Sequence, residues 1–286
     1  MNLHIQKLSA VIEREFRTVT RTRAYILTLL TFVAVLVGLA LVGGISGYIS
    51  VVLNILLPLE LLLPVLAAAF GYRSLITDRE SGELEMIRTF PISRLTYISG
   101  ILIGRLTVLL LVVLGTFLVI GISVPLLTPE SSQFLQRQTT YNGPLLFIRF
   151  GVLTALATTV LFAIMMALSA VSRNSSRGLA LVVLGGVGLA IGLDLAIVVG
   201  FAVELFPQGW LSWVLATSPL SAFRTLVLGT VIEPAVESQM RTGSVVGSLI
   251  SLSLWLSGAL IVAVSFVWEP TENKQTNLDS RRKSDV

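Results

Sequence analysis

The sequence predicts an all-α integral membrane protein with six transmembrane helices. Of its 286 residues, 54% are hydrophobic and only 13% are charged, whereas soluble domains carry about 25% charged residues. The mean hydropathy is +0.89, and the apolar residues occur in runs of about 20 or more, the length that a helix needs to cross a bilayer. Together, these observations exclude a water-soluble fold.

Six stretches meet this length requirement. The predicted spans are Tyr25 to Gly44, Ser50 to Gly71, Tyr97 to Leu126, Pro144 to Val171, Gly178 to Glu204 and Val245 to Trp268. The third to fifth stretches exceed the minimum length, so we expect these helices to tilt or to extend beyond the membrane.

The distribution of basic residues predicts the orientation. The net charge is +4, and arginines and lysines cluster before the first span, after the second and fourth spans, and beyond the sixth. This positive-inside bias places both termini in the cytoplasm, which agrees with an even number of spans. It also explains the charge better than a nucleic-acid partner does. We therefore expect a multi-pass protein of the plasma membrane.

Residues 1–23 form the predicted N-terminal element, an amphipathic helix on the membrane surface. Its apolar face consists of Leu8, Val11, Ile12, Phe16 and Val19. The residues alone fit either a basic anchor or a mechanical element. The six-span domain covers 24–268, and the polar tail 269–286 is predicted to be disordered.

The loop between the second and third spans predicts a short cytoplasmic helix. Ser81 can cap it, Glu83 and Glu85 suit the positive end of its dipole, and Pro91 ends it. The residues that share one face of this helix are Leu84, Ile87 and Arg88. Such a helix can dock a soluble partner, although a solvated loop also fits the composition.

Three ionisable residues fall inside predicted spans. Glu60 is ten positions from Ser50, about 15 Å along the helix and so close to the bilayer midplane. Arg105 lies near the cytoplasmic end of the third span, where its side chain can snorkel, and Asp194 lies toward the outer half of the fifth. Buried charges of this kind form either a translocation path or polar contacts between helices.

Several catalytic chemistries are excluded by residue types. The only lysines are Lys7, Lys274 and Lys283, and none follows a glycine, so the chain has no P-loop. His4 is the only histidine and there is no cysteine, which excludes the common zinc and nucleophilic sites. We therefore expect a chain that is not an enzyme and binds no cofactor or metal.

The cytoplasmic loop also carries a family resemblance. The segment Asp78-Arg-Glu-Ser-Gly-Glu-Leu-Glu85, followed by Phe90-Pro-Ile-Ser-Arg94, resembles the coupling helix of type-2 ATP-binding-cassette (ABC) permeases. The ending Arg21-Thr-Arg23 of the amphipathic helix and the loop Ser172-Arg-Asn-Ser-Ser-Arg-Gly178 are similar to the same family. Ser218-Pro-Leu-Ser-Ala-Phe-Arg224 resembles its nitrous-oxide-reductase-maturation branch.

The resemblance implies the transmembrane permease subunit of an ABC exporter. It implies a homodimer or related heterodimer, a separate ATPase subunit that uses the ATP, and short outer-leaflet helices within residues 207–241. The implied ATPase-coupling residues are Glu80, Ser81, Gly82, Glu83, Leu84, Glu85, Ile87, Arg88, Pro91 and Arg94. Two alternatives stay open: an ATP-independent secondary transporter or channel using Glu60 and Arg105, and a membrane scaffold that transports nothing.

Overall fold

The computed structural model describes residues 3–90, 92–128, 143–172, 175–188, 192–205, 211–236 and 243–268. Every regular element in these ranges is helical. The α-helices are α1 Leu3–Arg21, α2 Arg23–Val42, α3 Tyr48–Gly71, α4 Arg73–Glu80, α5 Glu83–Thr89, α6 Arg94–Leu127, α7 Pro144–Val171, α8 Ser175–Val187, α9 Leu193–Ala202, α10 Leu211–Leu215, α11 Pro219–Val227, α12 Glu233–Val236 and α13 Val245–Phe266. A π-helical turn at Leu228–Ile232 joins α11 to α12.

Within the described ranges, five helical segments are long and apolar enough to cross a membrane. They are α2, α3 with its continuation α4, α6, α7 and α13, so the predicted spans one to four and six are confirmed as long apolar helices. The predicted fifth span corresponds to α8 and α9, which have 13 and 10 residues. Residues 189–191 between them lie outside the described ranges, and the total of six spans stays a prediction.

Two of the long segments exceed the bilayer core. The 34 residues of α6 correspond to about 50 Å of helix, against a hydrocarbon thickness of about 30 Å. The backbone of Tyr72 is helical, with φ −51° and ψ −50°, so α3 leads almost directly into α4. The ends of α6 and of the α3–α4 segment can therefore extend beyond the membrane and contain residues of the predicted cytoplasmic region.

The core is centred on α7, the most deeply buried of these helices. It packs against α3, α6 and α13, and Phe150 and Phe162 are fully buried. At Gly71, a Cβ would lie 2.5 Å from Cβ of Met165. The absence of a side chain at Gly71 thus lets α3 approach the backbone of α7.

The region before α13 contains short helices. The apolar segment at 226–232 packs inward, since Leu226, Val227 and Val231 are buried, as expected for a stretch too short to cross. Residues 207–210 and 237–241 of the predicted outer-leaflet region lie outside the described ranges, as does the tail 269–286.

Candidate functional site

The predicted coupling segment forms two short helices joined by a tight turn. Ser81 ends α4, with its backbone N–H bonded to the carbonyl of Thr77 at 2.9 Å. Gly82 follows at φ 75° and is the N-cap of α5. The prediction that Ser81 caps this helix is therefore wrong by one position, because the turn needs a left-handed residue directly before α5 and glycine adopts it without strain. The Ser81 hydroxyl accepts only a long bond, 3.4 Å, from the Glu83 N–H.

The α5 side chains divide into an inner and an outer set. Leu84 is buried, and Ile87 packs against the core, so both predicted apolar contact residues face the rest of the chain. The exposed residues include Glu85, Met86 and Arg88 of α5 and Phe90 directly after it, and these four we call the α5 outer surface; Glu83 and Thr89 are exposed as well. Met86 and Phe90 were missed by the sequence analysis, although their spacing of four puts them on one helical face.

The flanking coupling residues lie in different settings. Glu80 accepts hydrogen bonds from the backbone N–H of Ser175, at 2.7 Å, and from its hydroxyl. The guanidinium of Arg94, the first residue of α6, lies over the ring of Trp268, 5.2 Å from its centroid. Pro91 lies outside the described residues.

Arg14, a residue of the amphipathic helix α1, connects that helix to the predicted coupling segment. Its Nη2 donates to Asp78 of α4 at 2.5 Å and to Glu15 at 2.7 Å, and its Nη1 lies 3.4 Å from Oε2 of Glu83 in α5. The hydroxyl of Tyr97 in α6 donates to the same Asp78 oxygen at 2.5 Å. Burial lowers the pKa of Arg14, but the charges and hydrogen bonds of Asp78 and Glu15 outweigh it and raise the pKa above its ordinary value.

Arg105 is paired inside the fold, with a buried acid of the amphipathic helix. Its Nε donates to Glu15 Oε2 at 2.6 Å, and its Nη1 donates to the carbonyl of Phe70 at 2.9 Å. Arg105 and Glu15 are both buried. The amphipathic helix therefore contributes a buried acid to the interior, a residue that the sequence analysis assigned no role.

The contact between α1 and α6 is close. A Cβ at Gly104 would lie 2.7 Å from Cβ of Glu15 and 2.9 Å from the carbonyl of Ile12. Val19 on the same face is fully buried, whereas Phe16 is 38% exposed. Of the predicted apolar face, Val19 is thus packed against the protein while Phe16 stays accessible, and α1 lies against a transmembrane helix as well as being amphipathic.

A second polar cluster joins α3, α9 and α11. Arg224 donates from Nε to both oxygens of Glu60, at 2.8 and 3.1 Å, and from Nη2 to Oε2. The same Nη2 lies 3.6 Å from Asp194, whose other oxygen accepts from the hydroxyl of Ser221 at 2.7 Å. The structure thus brings Glu60 and Asp194 together as interhelix polar contacts, and it places Arg105 in the separate network around Glu15.

The comparisons with known proteins bear on both clusters. A family model described as ABC-2 family transporter protein matches residues 9–269, which include α5, the Arg14 network and the Glu60 cluster. The chain belongs to the ABC-2 transporter family. A comparison with curated proteins gives no match.

Membership of the ABC-2 family confirms the resemblance to type-2 ABC permeases. Proteins of the ABC-2 family are membrane transport subunits, and they normally partner with an ABC ATPase. The long apolar helices fit a multi-pass permease subunit. In this ABC-2 protein, the short helices α4 and α5 lie in sequence between two of the long apolar helices, α3 and α6.

Proposed function

We propose that the chain is the permease subunit of an ABC exporter of the plasma membrane, driven by a separate ATPase that docks on the α5 outer surface. The α4–Gly82–α5 unit carries this proposal. It presents Met86 and Phe90, which are 65% and 56% exposed, between the charged residues Glu85 and Arg88. Exposed apolar side chains supply docking area, and adjacent charges orient the partner.

The attachment of this unit suits force transmission. Arg14 bonds to Asp78 in α4 and lies beside Glu83 in α5, and Tyr97 of α6 holds the same Asp78. A displacement of α5 by a docked ATPase would therefore be passed to the amphipathic helix and to the third span. A solvated loop without these contacts would absorb the displacement.

The full proposal has six crossings, with α8 and α9 together forming the fifth. Both termini lie in the cytoplasm, and two permease copies, identical or related, surround a central path. ATP hydrolysis by the partner moves the two copies relative to each other and exports the substrate. The positive-inside distribution of arginines supports this orientation.

The ATP-independent alternative is supported less well by the contacts. Glu60 is matched by Arg224, and Arg105 is matched by Glu15. Each of these charges thus has an ionic partner within the chain, as a polar contact between helices requires. The scaffold alternative explains the α5 outer surface but assigns no role to the Glu60 cluster.

The proposal is tested by affinity purification of the tagged chain in mild detergent, followed by mass spectrometry and an ATPase assay. We expect a stoichiometric ABC ATPase to copurify and to hydrolyse ATP. Met86→Glu should remove the ATPase, whereas Leu205→Glu, at a residue that is 70% exposed outside α5, should retain it. A pure chain without ATPase activity would overturn the proposal.

A further inference from the structure

Arg79, in the last turn of α4, contacts the ends of two membrane helices at once. Its Nη1 donates to the carbonyl of Ser172, and its Nη2 lies 3.1 Å from the carbonyl of Ala170, both at the C-terminal end of α7. The same Nη2 lies 3.1 Å from the carbonyl of Phe266 and 3.4 Å from that of Val267, at the end of α13. One guanidinium thus donates to carbonyl oxygens that lie more than ninety residues apart along the chain.

The chemistry of helix ends explains this arrangement. The last four carbonyls of an α-helix have no partner within the helix, and they carry the negative end of its dipole. A guanidinium offers several N–H donors in a fixed plane and a permanent positive charge. Arg79 therefore donates hydrogen bonds to terminal carbonyls of both α7 and α13, and it holds the two helix ends at a fixed distance from α4.

The next residue makes the complementary contact. Glu80 accepts from the backbone N–H of Ser175 at 2.7 Å and from its hydroxyl, at the N-terminus of α8. A carboxylate there meets unpaired N–H groups and the positive end of the dipole. Two consecutive residues at the end of α4 thus hold α7, α13 and α8, each with the sign of charge that its helix end favours.

We propose that Arg79 is a positioning residue that passes the movement of α4 and α5 to α7 and α13, with Glu80 passing it to α8. Only Ser81 and Gly82 separate α4 from α5, so a displacement of α5 acts directly on α4. The contacts of Arg79 then connect α4 to the central helix α7 and to α13, and the contact of Glu80 connects α4 to α8. This inference rests on the proposed ATPase coupling, and it gives Glu80 a role inside the permease in place of contact with the ATPase.

The first test asks whether Arg79 holds both helix ends, and it requires no ATPase. Arg79→Gln should raise hydrogen exchange at the last turns of α7 and α13 by roughly tenfold, as expected when hydrogen bonds from a charged donor are lost. Arg21→Gln, at an exposed position of α1, is the matched control and should leave both turns unchanged. Unchanged exchange in the Arg79 variant would overturn the proposal.

The second test follows the movement itself. The chain has no cysteine, so pairs of introduced cysteines are the only sites in it that a spin label can modify. Complexes in which most copies are unlabelled then report the distance within one copy. A pair at Thr77 and Leu30 reports on α4 relative to α2, and a pair at Ile261 and Leu30 reports on α13. All three positions are exposed.

In the native complex we expect ATP to change both distances. In Arg79→Gln the Thr77 distance should still change, while the Ile261 change is lost; Arg79→Lys, which keeps the charge and so protects the fold, should recover only part of it. A full Ile261 response in both variants would overturn the role of Arg79 and leave the ATPase coupling intact. No response at either pair in the native complex would overturn the coupling, and this inference with it.

Discussion

Arg105 Nε donates to Glu15 Oε2 at 2.6 Å in a contact where the two side chains are only 4% and 1% exposed. The pair joins the third span to the amphipathic helix, and Glu15 also accepts from Arg14 at 2.7 Å. One acid therefore balances two arginines, and Asp78 shares the second of them. The amphipathic helix is held by electrostatics as well as by its apolar face.

Removing the acid should leave Arg105 buried without its counter-charge. We expect Glu15→Gln to lower the free energy of unfolding by about 3 kcal/mol, the scale for breaking a buried ion pair. Thermal unfolding in detergent measures this loss. In Glu15→Gln/Arg105→Gln the combined loss should be smaller than the sum of the single losses. Strictly additive losses would mean that the two residues do not stabilise each other.

The close approach of α1 to α6 gives a steric prediction. Gly104→Ala places a methyl group against Glu15 and the backbone of Ile12, and we expect it to cost about 1–3 kcal/mol. Gly115→Ala in the same helix is the matched control, because a Cβ there meets nothing within 4 Å. The control should be neutral or slightly stabilising, as alanine favours helix over glycine. Equal melting temperatures for both variants would contradict the packing described.

In the Glu60 cluster, we expect Glu60 to contribute more to the free energy of unfolding than Asp194. Glu60 accepts from two nitrogens of Arg224 and its side chain is 5% exposed, whereas Asp194 lies 3.6 Å from Arg224 and is 20% exposed. Glu60→Gln should therefore destabilise the fold more than Asp194→Asn, by a difference of roughly 1–2 kcal/mol. Unfolding in detergent checks the order. The reverse order would show that Arg224 is held mainly by Asp194.

The α5 outer surface predicts a charge-dependent coupling. Glu85 is exposed, whereas Glu83 lies near Arg14, so Glu85→Lys changes docking without disturbing that network. We expect it to abolish stimulation of the partner ATPase, with normal membrane insertion. Glu204→Lys, a reversal at an exposed residue beyond α9, should keep full stimulation. Stimulation that survives Glu85→Lys would exclude this residue from coupling.

Hydropathy was sufficient for the long helices because the length of an apolar run is a local property of the chain. The pairing of charges was not predictable in this way. Glu15 lies 90 positions from Arg105, and Glu60 lies 164 positions from Arg224, so neither partner could be identified without the packing of the helices. The sequence showed that such charges need a partner, and the fold determines which one.

The coupling segment shows a second limit. The apolar residues Leu84, Met86 and Ile87, with Phe90 directly after the helix, cover more than one face of an element that has only seven residues, so periodicity could not decide which face turns outward. Tertiary packing decides it, with Leu84 inward and Met86 and Phe90 outward. The turn between α4 and α5 adds a local requirement, because Gly82 lies at φ 75°, which glycine adopts without strain.

The buried contact between Glu15 and Arg105 has a consequence for biosynthesis. A ribosome adds about 5–20 residues per second, so the 90 positions between the two residues correspond to roughly 5 to 20 seconds of synthesis. Throughout that interval α1 has no α6 to pack against, and Glu15 lacks Arg105 as its partner. The amphipathic helix can therefore reach its final place against α6 only after α2, α3 and the N-terminal part of α6 have been synthesised, so its own folding waits on a segment made well after it.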